Sequence, residues 1–221
     1  MVNKRQPYLF WILLAFLAVG FVYPAVGVLA VVCMLAPVAL APFRGRYWCG
    51  NFCPRGSFYD NFLVRFSPRR PIPPFFRSKG LRVFMLAFIM TVFSVQTYYA
   101  WGDLAAMGRV FVNLIFVTTL VGIALGLVYH QRTWCAFCPM GTLANWLSRG
   151  TMPLKVAPSC VSCGLCARDC PLQLRPQSGR EAGTFADGDC LKCGRCTPVC
   201  PQKALRFGES DDFPAIMKKP A

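Results

Sequence analysis

Between Cys160 and Pro201 the sequence twice spells the pattern C-x2-C-x2-C-x3-C-P. The first copy is Cys160, Cys163, Cys166, Cys170 and Pro171; the second is Cys190, Cys193, Cys196, Cys200 and Pro201. Two-residue gaps let three thiolates from one tight loop grip three corners of an iron–sulfur cubane. The fourth Cys leads the chain away and ligates the cubane of the other loop. The spacing therefore predicts crossed sets. Cys160, Cys163, Cys166 and Cys200 hold one 4Fe–4S cluster, and Cys190, Cys193, Cys196 and Cys170 hold the other. Gly164 and Gly194 follow the second Cys of each copy, where a glycine lets backbone N–H groups approach sulfur and tolerates positive φ. Zinc sites usually separate two C-x2-C pairs by a longer stretch, so the spacing argues against zinc.

The remainder of the chain is of another kind. The 221 residues are 55% hydrophobic and only 15% charged, yet the formal charge is +15. Disorder is excluded by the apolar content. A nucleic-acid module carries its charges on a soluble fold, and the long uncharged runs here argue against such a partner. From Pro7 to Phe43 no residue is charged, and Gly20 and Pro24 supply turn chemistry near the midpoint. Spans are expected at 7–23 and 25–43. A second apolar block, Val83 to Tyr129, is interrupted only by Asp103 and Arg109. It predicts spans at 82–101 and 109–129, with Asp103 in the loop between them. A cleaved signal peptide does not fit, because the first apolar run continues far past any cleavage site.

With four spans, Lys4 and Arg5, the run from Arg44 to Arg82, and Arg132, Arg149 and every later Lys or Arg share one membrane face. Arg109 alone is on the other. The basic face is expected to be cytoplasmic. That places both termini and the cysteine-rich segments on the cytoplasmic side of a bacterial inner membrane, where thiols stay reduced. The chain divides near residue 150. Residues 1–150 form a four-helix all-α transmembrane domain. After a Pro-containing linker, "GTMPLKVAPS", residues 151–221 form a small α+β domain of the bacterial two-cluster ferredoxin type. The segment "RRPIPPFFRSK" cannot be regular helix, and its charges suit the anionic headgroups of membrane lipids.

The membrane half repeats itself. "RYWCGNFCPRGSFYDNFL" at 46–63 aligns with "RTWCAFCPMGTLANWL" at 132–147, with one residue missing between the second pair of cysteines. Each copy follows the cytoplasmic end of an even-numbered span. This is a parallel repeat and implies a pseudo-twofold axis along the membrane normal. Short interfacial helices are expected after each copy, from Phe58, Phe62 and Phe66 and from Leu143, Trp146 and Leu147. Cys49, Cys53, Cys135 and Cys138 would face each other. Three readings stand: a third metal centre such as an iron–sulfur cluster, two dithiol pairs that exchange electrons or bind a metal transiently, or cysteines packed as small hydrophobes in C-P-x-G turns. Cys33, within the second span, reads as packing. His130, the single histidine, is a candidate to hydrogen-bond a quinone or relay a proton, or a helix-end His stabilised by the dipole.

Paired W-C-x(2–3)-C-P motifs on four spans, followed by a two-cluster domain, resemble the NapH-type membrane ferredoxins, quinol dehydrogenase components associated with periplasmic nitrate reduction. The core is also similar to the C-terminal half of NosR-type proteins and to CcoG-type factors of cytochrome oxidase assembly. In the second motif this chain has C-x2-C-P where the family has C-x3-C-P. The resemblance implies an electron-transfer subunit working between the membrane quinone pool and a redox partner protein. Its CcoG-like side offers an alternative, a maturation factor or metal reductase using the paired thiols. A membrane redox sensor is a third.

Overall fold

The computed structural model describes residues 8–148 and 150–207. Lys4, Arg5, Arg149, Lys218 and Lys219, counted above on the basic face, lie outside them. Helix α1, Phe10–Val22, stops before Pro24, which opens a 3-10 turn over Pro24–Leu29. The turn runs directly into α2, Ala30–Arg44. Two long helices follow later in the chain: α5, Lys79–Tyr99, and α6, Leu104–Val128. Both start earlier than hydropathy places them, because a polar cap precedes each first turn. The Ser78 hydroxyl accepts from the Leu81 N–H at 3.3 Å, and the Asp103 carboxylate accepts from the Ala105 N–H at 2.8 Å. Asp103, read as a loop residue, is therefore the N-cap of α6.

Among the described residues, three helices are long and apolar enough to cross a membrane: Pro24–Arg44, Lys79–Tyr99 and Leu104–Val128. Helix α1 has 13 residues. Its rise of roughly 20 Å is shorter than a hydrocarbon core of roughly 30 Å. The helices leave broad apolar faces outward, with Trp11, Phe21, Val32, Leu35, Phe84 and Phe88 all exposed. Such faces suit lipid rather than water. At the end where α5 stops, Tyr98, Tyr99 and Trp101 stand outward, as interfacial aromatics do.

Between α2 and α5 lie two short helices, α3, Tyr47–Asn51, and α4, Pro54–Asn61, and a third, α7, Pro139–Leu147, follows α6. The proline-rich segment before α5 holds only a 3-10 turn, Pro74–Arg77. It is pinned to the end of α6 by the Arg70 N–H, which donates to the Tyr129 carbonyl at 2.8 Å.

The C-terminal half is built on a three-stranded antiparallel sheet in the order β2-β1-β3. The strands are β1, Leu154–Val156, β2, Thr184–Phe185, and β3, Leu205–Phe207, with α8, Leu165–Arg168, between β1 and β2. The "GTMPLKVAPS" segment is thus more than a linker. Leu154 and Val156 alternate inward at period 2 and are fully buried. Leu154 faces Phe185 on one side and Phe207 on the other. This half sits on the bundle end that gathers Arg44, Lys79 and Tyr129, through contacts described next.

Candidate functional site

The two cysteine loops of the C-terminal half share backbone irregularities at equivalent positions. Ser162 and Lys192, Gly164 and Gly194, and Gln173 and Lys203 all take positive φ. The two glycines do so at no steric cost, as their position after the second Cys requires. The two loops line two small cavities, one larger than the other. Cys170, Cys190, Cys193 and Cys196 line the larger, with Leu154, Leu172 and Phe185. Cys160, Cys163, Cys166 and Cys200 line the smaller, with Leu165 and Gln177. The cavities sort the eight cysteines into the crossed sets that the spacing predicts.

Donors reach the sulfurs. The Ala204 N–H lies 3.4 Å from Cys200 Sγ, and the amides of Leu172 and Leu174 hydrogen-bond Cys170. Burial nevertheless pushes the Cys170 thiol up to about 11, and raises Cys190, Cys193 and Cys196 as well. Thiolates in this setting need a cationic metal core. Among the described residues no three His, Cys, Asp or Glu converge tightly enough for a single metal ion. A cubane bonds each thiolate to a different iron and so asks for wider spacing. Apolar walls, crossed cysteines and amide donors fit that group.

The membrane-side motifs form a second constellation. Cys53 and Cys138 are the N-caps of α4 and α7, and Pro54 and Pro139 open those helices. The residue missing from the second motif is absorbed by the turn. Trp48 to Asn51 lies in the α-turn α3, while Trp134–Ala136 is a tighter 3-10 turn. In both copies the second cysteine's N–H returns to the Trp carbonyl at 3.0 Å. The C-x2-C departure thus leaves the local frame intact.

The arginines that head the two copies cross over. Arg46 donates to the Cys135 carbonyl at 2.7 Å, and Arg132 to the Cys49 carbonyl at 3.4 Å. Gly141 and Gly56 make room for them. A Cβ would stand 2.5 Å from the Arg46 guanidinium at Gly141 and 2.6 Å from that of Arg132 at Gly56. Both arginines are buried, each against a carboxylate. Arg132 makes a two-pronged pair with Asp60, both bonds 2.8 Å, and Arg195 joins Asp60 at 3.1 Å. Arg46 meets Asp189 at 3.0 Å, Arg82 meets it at 2.6 Å, and Asn145 adds a third donor at 2.6 Å.

These contacts lock the halves together at the Cys190 loop. Gly50 lies so close to it that a Cβ would be 2.2 Å from the Leu191 carbonyl and 3.1 Å from Cys193 Cβ. Cys49 and Cys135 pack against the C-terminal core itself. Contacts from the membrane half fall on Leu172, Gln173 and residues 188–195.

Comparison with known proteins bears on the same residues. The 4Fe-4S binding domain family matches twice, at 26–73 and 110–156, and the 4Fe-4S dicluster domain family matches 159–205. The ferredoxin-type protein NapH of Haemophilus influenzae is 30% identical over 189 residues, 78% of this chain and 65% of NapH. The chain is an iron–sulfur protein homologous to NapH. YccM of Escherichia coli, whose name assigns it to electron transport, is 23% identical over 221 residues, 89% of this chain and 60% of its own. An uncharacterized protein of Methanocaldococcus jannaschii is 22% identical over 182 residues, 80% of this chain and 70% of its own. No solved structure matches significantly. The cluster-binding families and these relatives make this NapH homologue an electron-transfer protein in the broad sense.

In this NapH homologue His130 is buried, and its Nδ1 accepts from the Arg132 N–H at 3.3 Å. Burial lowers its pKa to about 4. A neutral ring corrects the dipole-stabilised reading, which needs a cation. Cys33 is exposed on α2, so the packing role expected for it within the protein is also corrected. Phe62, Phe66, Trp146 and Leu147 stand outward on the two interfacial segments, while Phe58 is buried. Sequence reasoning counted Arg46, Arg82 and Arg132 as surface charges marking a membrane face, whereas all three are buried in ion pairs. It passed over Asp60 and Asp189 altogether. The recurrence of Arg and Gly at matching places in both copies was the available signal.

Proposed function

We propose that this protein relays single electrons between membrane quinol and a redox partner protein. Residues 1–150 are the membrane domain and 151–221 the cluster domain. The three long apolar helices, with the shorter α1 packed beside them, form the membrane domain in a bacterial inner membrane, the two W-C-P copies are related by a pseudo-twofold axis, and the cluster domain faces the cytoplasm. The reciprocal Arg46 and Arg132 contacts support the axis. Cys160, Cys163, Cys166 and Cys200 hold one 4Fe–4S cluster, and Cys170, Cys190, Cys193 and Cys196 the other. Cys49, Cys53, Cys135 and Cys138 form a third redox centre at the membrane face. Bound clusters supply the one-electron chemistry, and the protein sets spacing, burial and hydrogen bonding.

One observation carries this reading: the contact of Cys49 and Gly50 with the Leu191–Cys193 loop. It supports an order of membrane set, Cys190 set and Cys160 set along the relay. The rival thiol-exchange reading needs a reactive thiolate. Burial raises the Cys49 thiol and pushes Cys53 up to about 12, which disfavours it. The test is anaerobic purification followed by mixing with a short-chain quinol. Bleaching of the iron–sulfur absorbance is expected. Protein with full iron that neither oxidises quinol nor is reoxidised by quinone would overturn the relay.

A further inference from the structure

The membrane-side cysteines sit among more buried positive charge than the neighbouring carboxylates balance. Four guanidiniums meet two carboxylates there: Arg46 and Arg82 on Asp189, Arg132 and Arg195 on Asp60. Arg46, Arg82 and Arg132 are 2%, 7% and 1% exposed. Arg195 is partly exposed, so among the described residues three buried guanidiniums face two carboxylates and one buried positive charge is left over. A buried cation without a counter-charge is strongly unfavourable, so a fold that keeps one needs an anion beside it.

The two arginines that touch the cysteines do so reciprocally. Arg46 stands close enough to Cys49 of its own copy to act on its thiol electrostatically, and it donates to the Cys135 carbonyl of the other. Arg132 lies 3.5 Å from Cys135 Sγ of its own copy and 3.4 Å from the Cys49 carbonyl of the other. Side chains at position 56 or 141 would occupy the guanidinium sites, and both positions are glycine. Two cations are therefore held across the boundary between the copies, each against one thiol.

We propose that Arg46 and Arg132 are the counter-charges of a dianionic iron–sulfur centre held by Cys49, Cys53, Cys135 and Cys138. This rests on reading those four cysteines as a third redox centre. Four thiolates on a dicationic iron–sulfur core carry two net negative charges, one for each of the two arginines that stand beside the thiols. Neutral thiols or disulfides carry none and leave the excess unbalanced. Cationic neighbours favour the extra negative charge of the reduced state, so the two arginines also raise the reduction potential of the centre. They are positioning and tuning residues, not ligands.

The experiment uses the full chain purified anaerobically in detergent. Iron and acid-labile sulfide are counted, and midpoint potentials are read by paramagnetic resonance during a redox titration. The wild type is expected to hold more than the about eight irons of two cubanes. Cys49→Ser and Cys135→Ser should remove the excess alone. Arg46→Gln and Arg132→Gln should either lose the excess iron or make the extra centre at least tenfold harder to reduce, a fall of 59 mV for one electron. Arg46→Lys and Arg132→Lys keep the charge and should keep the excess iron, with a midpoint nearer wild type than the Gln variants. The signals of the two C-terminal clusters, read in the same samples, report folding. Should the Gln variants lose those signals too, the Lys variants decide. Intact C-terminal clusters with no excess iron in a Lys variant would overturn the charge argument, as would Gln variants with unchanged excess and midpoint. Only about eight irons in the wild type would instead remove the third centre itself. None of these readouts uses quinol, so the relay stands or falls separately.

Discussion

Asp189 takes hydrogen bonds from Arg46, Arg82 and Asn145, donors that belong to three different parts of the membrane half. Burial alone would push its carboxyl up, but Arg46 first, then Arg82 and Asn145, outweigh this and hold it below the usual carboxylate range. Asp189→Asn leaves two buried guanidiniums short of a partner. A loss of about 3–5 kcal/mol is expected, as for breaking a buried pair from one side. Thermal unfolding in detergent measures it. His130 shifts stability with pH in the same direction as Asp189, through burial rather than an ion pair. Its folded pKa of about 4 is depressed by burial, so the folded protein binds fewer protons than the unfolded one between its two pKa values. Stability therefore rises with pH from about 4 to about 6.5 and is level above that. His130→Gln should flatten that window in a melting series across pH.

At the scale of elements, the 3-10 turn Pro24–Leu29 and helix α6 meet backbone to backbone. A Cβ at Gly108 would lie 1.9 Å from the Pro24 carbonyl oxygen, while one at Gly80 in α5 meets nothing within 4 Å. Gly108→Ala should cost about 1–3 kcal/mol or more, because neither backbone can yield. Gly80→Ala should be neutral or stabilise by up to about 1 kcal/mol. Comparing the two melting temperatures checks the contact. The paired W-C-P motifs and the short helices that follow them, α4 and α7, were legible in the sequence, since each rests on residues close together in the chain. The Arg46–Asp189 and Arg132–Asp60 pairs join residues 143 and 72 positions apart, and no local pattern announces them. Strand β1 was hidden for a related reason. Three residues of Leu-Lys-Val read as linker until Phe185 and Phe207 close on either side.

For the whole molecule, the contacts from the membrane half fall on the Cys190 loop, while Cys163 of the other set is exposed. Val161 and Leu165, beside it, are exposed apolar side chains at 59% and 38%. Electrons that leave by this face must pass to a partner resting there. Val161→Glu with Leu165→Glu should slow reduction of a protein acceptor about tenfold or more and leave reduction of a small viologen-type dye unchanged. Stopped-flow mixing of the reduced protein with each acceptor separates the two. Equal rates for the variant and wild type with the protein acceptor would move the exit elsewhere.

The short path from α7 to β1 has a kinetic consequence. Helix α7 ends at Leu147, and β1, the central strand of the C-terminal sheet, begins at Leu154. A carrier that swings between stations needs a long, pliant tether. Here the connection runs directly into the central strand of the sheet, and the buried carboxylates clamp the loop beyond it. In the proposed relay the protein is therefore a fixed wire rather than a shuttle. Transfer inside it should be indifferent to the viscosity of the surrounding solution, and only the arrival and departure of its partners should feel the medium.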